Sequence, residues 1–242
     1  MVDYNKLKKM KLLVGCPTSE AKSYCEKEYL ATITNLFYPK ELYDIMIVDN
    51  SKTGKNAKRI SKLGINCRHV NPNGKSNQQY IAESQEVLRQ YVLDNDYDYL
   101  VMIESDIIPP LTCLTSLLSH QQPVVCGTYF IGHGADSYLM RQLVEKDGNQ
   151  ERYTINSDGI HAINDIDGQL KEVQNGGFGC IAIHRSVLSQ IKFRVEKGAD
   201  SHPDSYFGAD LAQLGISQYQ DTSLLCEHLN SSWSTVLDAY IN

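Results

Sequence analysis

The chain contains no Cys-x-x-Cys pair, no internal repeat and no low-complexity tract. None of its apolar runs approaches the ~18 residues that a membrane-spanning helix needs. "KLLVGCPTSE" follows several lysines, but it is too short and turns polar too soon for a signal peptide. The seven cysteines, at positions 16, 25, 67, 113, 126, 180 and 226, are odd in number and sit mostly within apolar runs. They read as reduced, buried thiols of a cytoplasmic-type protein, not as a disulfide framework or a zinc site. There is no excess of positive charge. Lys and Arg number 23 against 29 Asp and Glu, a net charge of −6, so the chain has no overall bias toward nucleic acid or an anionic membrane. The one basic cluster, Lys6, Lys8, Lys9 and Lys11, reads as a solvated start before the first strand. Neither Gly-x-Gly-x-x-Gly nor a Walker loop occurs, which disfavours a dinucleotide-binding Rossmann enzyme and a P-loop NTPase. Gly-x-Ser-x-Gly is also missing, and with it the usual mark of an α/β-hydrolase.

What is present is an ordinary globular composition, 42% hydrophobic and 21% charged over 242 residues, enough to bury a substantial core. The first half alternates. Strands are expected at 11–16, 43–51, 65–70 and 97–106, with helices at 19–37 (Ser19 as N-cap), 55–63 and 76–94 between them. Such alternation implies right-handed crossovers and a mostly parallel sheet flanked by helices, an α/β fold. Ile45–Val48 and Tyr99–Ile103 are continuously apolar, as strands covered on both faces should be. The second half is mixed: a strand at 123–130, polar hairpins and loops over 131–172, a turn, strand and helix over 173–191, a helix at 204–215 and a last strand at 223–229. No linker parts the halves. The expectation is one domain over 1–242, with an α/β nucleotide-binding half at 1–106 and a mixed acceptor half at 107–242.

Ligands of open parallel sheets bind beyond the carboxyl ends of the strands. Three of the expected strands end there in polar residues: Pro17-Thr18-Ser19, Asp49-Asn50-Ser51 and Glu104-Ser105-Asp106. On an extended chain Glu104 and Asp106, two apart, would face the same side. Paired carboxylates repel unless a cation lies near them, and a hard divalent ion bridges readily to phosphates. Their same-side placement suits a metal better than a glycosidase acid–base pair. Alternatively Glu104 caps the following segment and Asp106 is solvated; the pattern alone leaves both open.

"DYLVMIESDIIPPLTCLTSLL" resembles the Asp-x-Asp segment of GT-A fold glycosyltransferases, an apolar strand delivering acidic residues with a "PP" helix behind. "LLVGCPTSE" is similar to that fold's first strand and nucleotide turn, and "DIMIVDNSKTG" to its second strand. "GGFGCIAIHRSVL" resembles its Gly-rich strand and helix, and "HPDSYFGADLAQLGISQYQDTSLLCEHL" its acidic helix start and terminal histidine. The pieces keep the family's order over about residues 11–229.

The resemblance implies a metal-dependent transfer of a sugar from a nucleoside diphosphate, UDP first, to a hydroxyl. It implies Asp106 and His228 as metal ligands, with Glu104 on the metal or the ribose. The family more often has Asp at the place of Glu104. Imidazole suits Mn2+ better than Mg2+, so manganese is the expected ion. Asp204 matches the residue that deprotonates the acceptor hydroxyl in inverting members, and a helix start would hold it ionised. Pro17, Thr18, Ser19, Asp49, Asn50, Ser51 and Ser105 would line the donor nucleotide, and Lys75 would meet the diphosphate. Gly176 and Gly177 would give close backbone approach to the donor sugar. Ser84-Gln85 stands where relatives often carry Arg-Asn.

Two other classes compete. A sugar-1-phosphate nucleotidyltransferase would need a Gly-rich N-terminal loop with Arg and Lys, which "GCPTSEAKS" lacks. A non-catalytic nucleotide- or carbohydrate-binding module of the same fold is the other. The acceptor is open: polysaccharide, protein, small molecule or a hydroxylated DNA base. For nucleic acid, the basic residues of 52–68 would be the place to look, although a solvated helix face explains them more simply.

Overall fold

A computed structural model describes residues 10–131, 138–147, 150–155, 165–196, 198 and 201–229. The first half follows the expected alternation: β1 (Leu12–Thr18), α1 (Glu26–Thr34), β2 (Tyr43–Asp49), α2 (Lys55–Ser61), β3 (Asn66–His69), α3 (Asn77–Asp94) and β4 (Tyr99–Ile103). Then come β5 (Ile107–Ile108), α4 (Cys113–Ser119), β6 (Val124–Thr128), β7 (Phe130–Ile131), β8 (Tyr138–Leu139), β9 (Gln142–Asp147), β10 (Gln150–Ile155) and β11 (Leu170–Asn175). The last elements are β12 (Cys180–His184), α5 (Arg185–Leu188), α6 (Pro203–Gln213), β13 (Gln218–Leu225) and β14 (Glu227–His228).

Ten strands make one sheet in the order β10-β9-β11-β13-β6-β12-β4-β1-β2-β3. β4, β1, β2 and β3 are parallel neighbours. β12 joins them antiparallel to β4, so the second half of the chain extends the sheet of the first. The continuous apolar runs are explained by alternation between two cores. Leu12, Val14, Cys16, Tyr99, Val101 and Ile103 pack on one face with Tyr29 and Ile33 of α1 and Leu114 of α4. Leu13, Leu100 and Met102 pack on the other with Leu88 and Val92 of α3. Among the described residues no helix is long and apolar enough to cross a membrane.

Two expected boundaries are corrected. The helix expected over 19–37 begins only at Glu26, and Ser19 makes no side-chain cap. Its first part is instead a 3₁₀ turn, Glu20–Lys22, held by the Glu20 amide donating to Ser51 Oγ at 2.9 Å. The last strand expected at 223–229 starts earlier, at Gln218, and breaks at Cys226. Its first residues are polar yet buried: Gln220 donates to the carbonyls of Gly127 (3.3 Å) and Met140 (3.1 Å), and Thr222 to that of Gln169 (2.8 Å). Hydrogen bonds replace hydropathy there, and an apolar pattern could not reveal it. Of the expected 131–172 hairpins, β9 and β10 pair antiparallel, whereas 132–137, 148–149 and 156–164 lie outside the described residues.

α3 opens with a capping box. Ser76 Oγ accepts from the Gln79 amide at 3.3 Å, and the Gln79 side chain accepts from the Ser76 amide at 3.0 Å. The cap fixes the turn that carries Tyr80 and Ile81 toward the strand ends. Ser76→Ala should cost about 1 kcal/mol. Thermal denaturation followed by circular dichroism should show a melting temperature about 2–4 °C lower.

Candidate active site

A cavity of about 710 Å³ opens beyond the carboxyl ends of β1 and β4. Pro17, Thr18, Ser19, Asn50, Glu104, Ser105 and Asp106 line it from the first half of the chain. Tyr80, Ile81 and Gln85 of α3 close one side, and Tyr129, Asn175, Phe178, Asp204 and His228 approach from the second half. Three strand-end clusters that are far apart in sequence therefore contribute to one space.

The acidic pair meets the cavity by a different route from the expected one. β4 ends at Ile103, and residues 104–107 form a turn closed by the Ile107 amide on the Glu104 carbonyl at 2.9 Å. A second bond, from the Glu104 amide to the Gly179 carbonyl at 2.9 Å, ties that turn to the Gly-rich segment before β12. Both carboxylates thus reach the cavity from a tight turn, not from same-side positions on a strand.

Asp106 is buried at 6% exposure and takes two partners on Oδ2. One is the ammonium of Lys22; the other is His228 Nε2 at 3.4 Å. His228 is brought there by β14, which pairs antiparallel with β5 so that His228 faces Ile107, and the Leu229 amide bonds the Asp106 carbonyl at 2.8 Å. His228 Nδ1 lies 2.7 Å from the Phe130 carbonyl. A carbonyl can only accept, so Nδ1 carries a proton; Nε2 donates to the Asp106 carboxylate as the imidazolium, and loss of that proton leaves on Nε2 the lone pair a metal would use. An imidazole so oriented beside a carboxylate is a donor set that fits a first-row divalent ion. Among the described residues no three His, Cys, Asp or Glu side chains converge as a metal cluster.

The electrostatics are uneven. Lys22 and His228 hold the Asp106 carboxyl well below the usual range against the opposing effect of its burial. The Glu104 carboxylate accepts no hydrogen bond among the described residues, and its pKa is pushed up to about 7 by burial and by the charges of Asp106 and Asp204. Asp204, in the first turn of α6 behind Pro203, accepts from the Ser205 amide at 2.8 Å. The expectation that the helix start depresses its pKa is corrected: burial outweighs the amide and raises it. Imidazole Nε2 of His228 is shifted up as well; burial lowers it, but Asp106 and the Phe130 carbonyl prevail.

The other expected site residues divide. Thr18 donates to Ser105 Oγ at 3.4 Å, and Asn50 to Ser84 Oγ at 3.5 Å, both on the cavity wall or next to it. Asp49 is turned into the fold instead. Its carboxylate is fully buried and accepts from Ser51 (amide and Oγ), Asn56 Nδ2 and the Ala57 amide, bonds of 2.6–3.2 Å that fix the start of α2. Ser51 and Lys75 line a neighbouring cleft of about 590 Å³, which shares Ser19, Ala21, Asn50 and Tyr80 with the main cavity. Lys75 is paired there with Glu83 at 2.5 Å.

Gly176 and Gly177 stand behind the wall that Asn175 and Phe178 form. A Cβ at Gly176 would sit 2.0 Å from Cys126 Sγ, and one at Gly177, whose φ is +71°, would sit 2.1 Å from Tyr129 Oη. These glycines give close approach to Cys126 and Tyr129, the latter a wall residue.

Among the cavity residues that sequence reasoning missed, four are polar groups with named partners. Lys22 stood inside what read as a helix. Arg141, buried and paired with Asp165 at 2.6 Å, lay in a stretch read as polar hairpin. Asn175, which accepts from the Gly177 amide at 2.9 Å, and Tyr129, which accepts from the Gly179 amide at 3.1 Å, owe their places to the sheet order. Only Asn175, directly before the Gly cluster, had a local signal.

No family model matches the chain, and no curated protein does. Solved structures do. GalNAc-T7, solved with UDP, GalNAc and Mn2+, superposes with a TM-score of 0.60 at 10% identity over 90% of this chain and 43% of that one. S. aureus TarS 1-349 gives 0.55 at 13% identity over 89% and 58%. A197 from STIV gives 0.47 at 16% identity over 90% and 85%. The chain thus spans about half the length of the GalNAc-T7 and TarS chains it matches. The α/β fold with its mostly parallel central sheet is that of the GT-A glycosyltransferases.

Proposed function

We propose that this chain is a metal-dependent glycosyltransferase, moving a sugar from a nucleoside diphosphate, UDP in the first instance, to an acceptor hydroxyl. One observation carries the reading: Asp106 and a tautomerically fixed His228 meet in a cavity at the strand ends of a GT-A fold. Asp106 and His228 would hold Mn2+, or Mg2+ less well, leaving its other positions to phosphate oxygens and water. When bound, the ion supplies positive charge beside the departing diphosphate.

The chain's own residues do the rest. Thr18, Asn50, Ser105 and Gln85 offer hydroxyls and amides to the nucleotide, and Glu104 faces the same space with an uncommitted carboxylate that suits a ribose hydroxyl. Asp204 takes the proton of the acceptor hydroxyl as that oxygen attacks the anomeric carbon. Its raised pKa makes it a better base than an ordinary aspartate. Phe178 and Tyr129 keep the far wall apolar and exclude water. Residues 1–106 and 107–242 form the nucleotide and acceptor halves of one transferase unit.

Thermal-shift titration with nucleotide sugars tests this. Mn2+ plus a UDP-sugar should stabilise the protein beyond either component, and slow donor hydrolysis should accompany it. Absence of both effects across uridine, guanosine, thymidine and cytidine donors would falsify the proposal. Pyrophosphate release from a nucleoside triphosphate and a sugar 1-phosphate would point to a nucleotidyltransferase instead.

A further inference from the structure

The ammonium of Lys22 lies on the carboxylate oxygen that also faces His228 Nε2. That oxygen is the one a divalent ion would take. We propose that Lys22 is a built-in competitor for the metal seat, holding Asp106 until a metal–diphosphate pair arrives and then turning to a phosphoryl oxygen. The inference rests on the transferase reading and deepens it.

Three features support the hand-over. Lys22 belongs to the short 3₁₀ turn Glu20–Lys22, which lines the cavity through Ala21 and Lys22 itself, with Ser19 just before it. Its side chain is 39% exposed, so the ammonium can swing without unfolding its surroundings. The turn is anchored two residues after the strand end, by the Glu20 amide on Ser51 Oγ, which leaves the lysine stem free to pivot. A monovalent cation on one carboxylate oxygen is a weak lock. Divalent charge plus a diphosphate, which gives the displaced ammonium a new anionic partner, outweighs it. Metal and nucleotide should therefore bind with positive linkage, each easing the other.

Lys22→Met and Lys22→Arg test this in the full chain. Mn2+ binding without nucleotide, read by electron paramagnetic resonance, should be about tenfold tighter in Lys22→Met because the competitor is gone. Binding of UDP at saturating Mn2+, read by isothermal titration calorimetry, should be at least about fivefold weaker because the phosphate partner is gone. Lys22→Arg, which keeps a cation, should stay near wild type in both. Opposite movements of the two affinities cannot come from a loosened fold, which would weaken both. If Mn2+ binding by Lys22→Met is unchanged or weaker, or UDP binding at saturating Mn2+ is unchanged, the hand-over is wrong. Should the wild type bind Mn2+–UDP normally in that case, the transferase reading survives; should it bind neither, both are lost.

Discussion

Asp106→Asn is expected to lower sugar transfer by about a hundred- to a thousandfold, the scale seen when a preorganised electrostatic contact to a developing anion is lost. Asparagine is nearly isosteric, and the backbone bond from the Leu229 amide to the carbonyl of residue 106 does not depend on the side chain. The turn and β14 should therefore stay in place. What disappears is the one charge that both Lys22 and His228 face. Asn also presents a neutral oxygen, a poorer ligand for a hard divalent ion than a carboxylate. The Mn2+-dependent part of the UDP thermal shift should vanish together with the activity, while the far-ultraviolet circular dichroism stays unchanged. Asp204→Asn should behave differently: transfer falls, but the Mn2+–UDP shift remains, because Asp204 sits in α6 and not on the Asp106–His228 pair. Wild-type turnover by Asp106→Asn would remove the metal from the mechanism; loss of the shift in Asp204→Asn would move that residue into the donor site.

The parallel half of the sheet was legible because its strands are apolar throughout and separated by helices of regular spacing. That pattern has few other solutions. Asp106, Glu104, Thr18 and Asn50 could be found because strand ends of such a sheet converge whatever the loops do. His228 was found through the motif and not through hydropathy, since Glu227-His228 is a two-residue strand whose meaning depends on β5. The misses share a cause. Lys22 has a sequence context suited to a helix, and only the tertiary bond from Glu20 to Ser51 turns that stretch into a 3₁₀ loop over the acidic turn. Arg141 is buried at 1% exposure with a carboxylate that follows 24 residues later, a pairing no local pattern encodes. Asp49 and Gly176 were misplaced for a related reason: a buried carboxylate serving four donors and a glycine making room for a thiol look in sequence like ligand contacts.

Metal-free protein should lose stability as the pH rises from about 4.5 to about 7, and Mn2+ should flatten that slope. Glu104 has an ordinary value of 4.5 and is raised to about 7 in the fold. Between those values the folded state binds the proton and the unfolded state does not, so raising the pH favours unfolding. His228 acts in the same direction, because its pKa too is raised: the stability it contributes is full below 6.5 and is lost as the pH passes its folded value. Asp106, held low, does the opposite, but it loses its contribution only as the pH falls below the ordinary value of 3.8, outside this window. The Glu104 shift corresponds to at most about 3 kcal/mol. Its carboxylate reaches an open cavity, so solvent screening reduces the effect to about 1–2 kcal/mol. Glu104→Gln isolates that share, since glutamine has no proton to lose: the difference in melting temperature between pH 5 and pH 8 in EDTA should shrink in the variant. Mn2+ should shrink it in the wild type, because a cation at Asp106 and His228 offsets the charge that keeps Glu104 protonated. A wild-type melting profile in EDTA whose pH dependence Glu104→Gln leaves untouched would mean that Glu104 is ionised or solvated in the metal-free fold, contrary to its enclosed place beside Asp106.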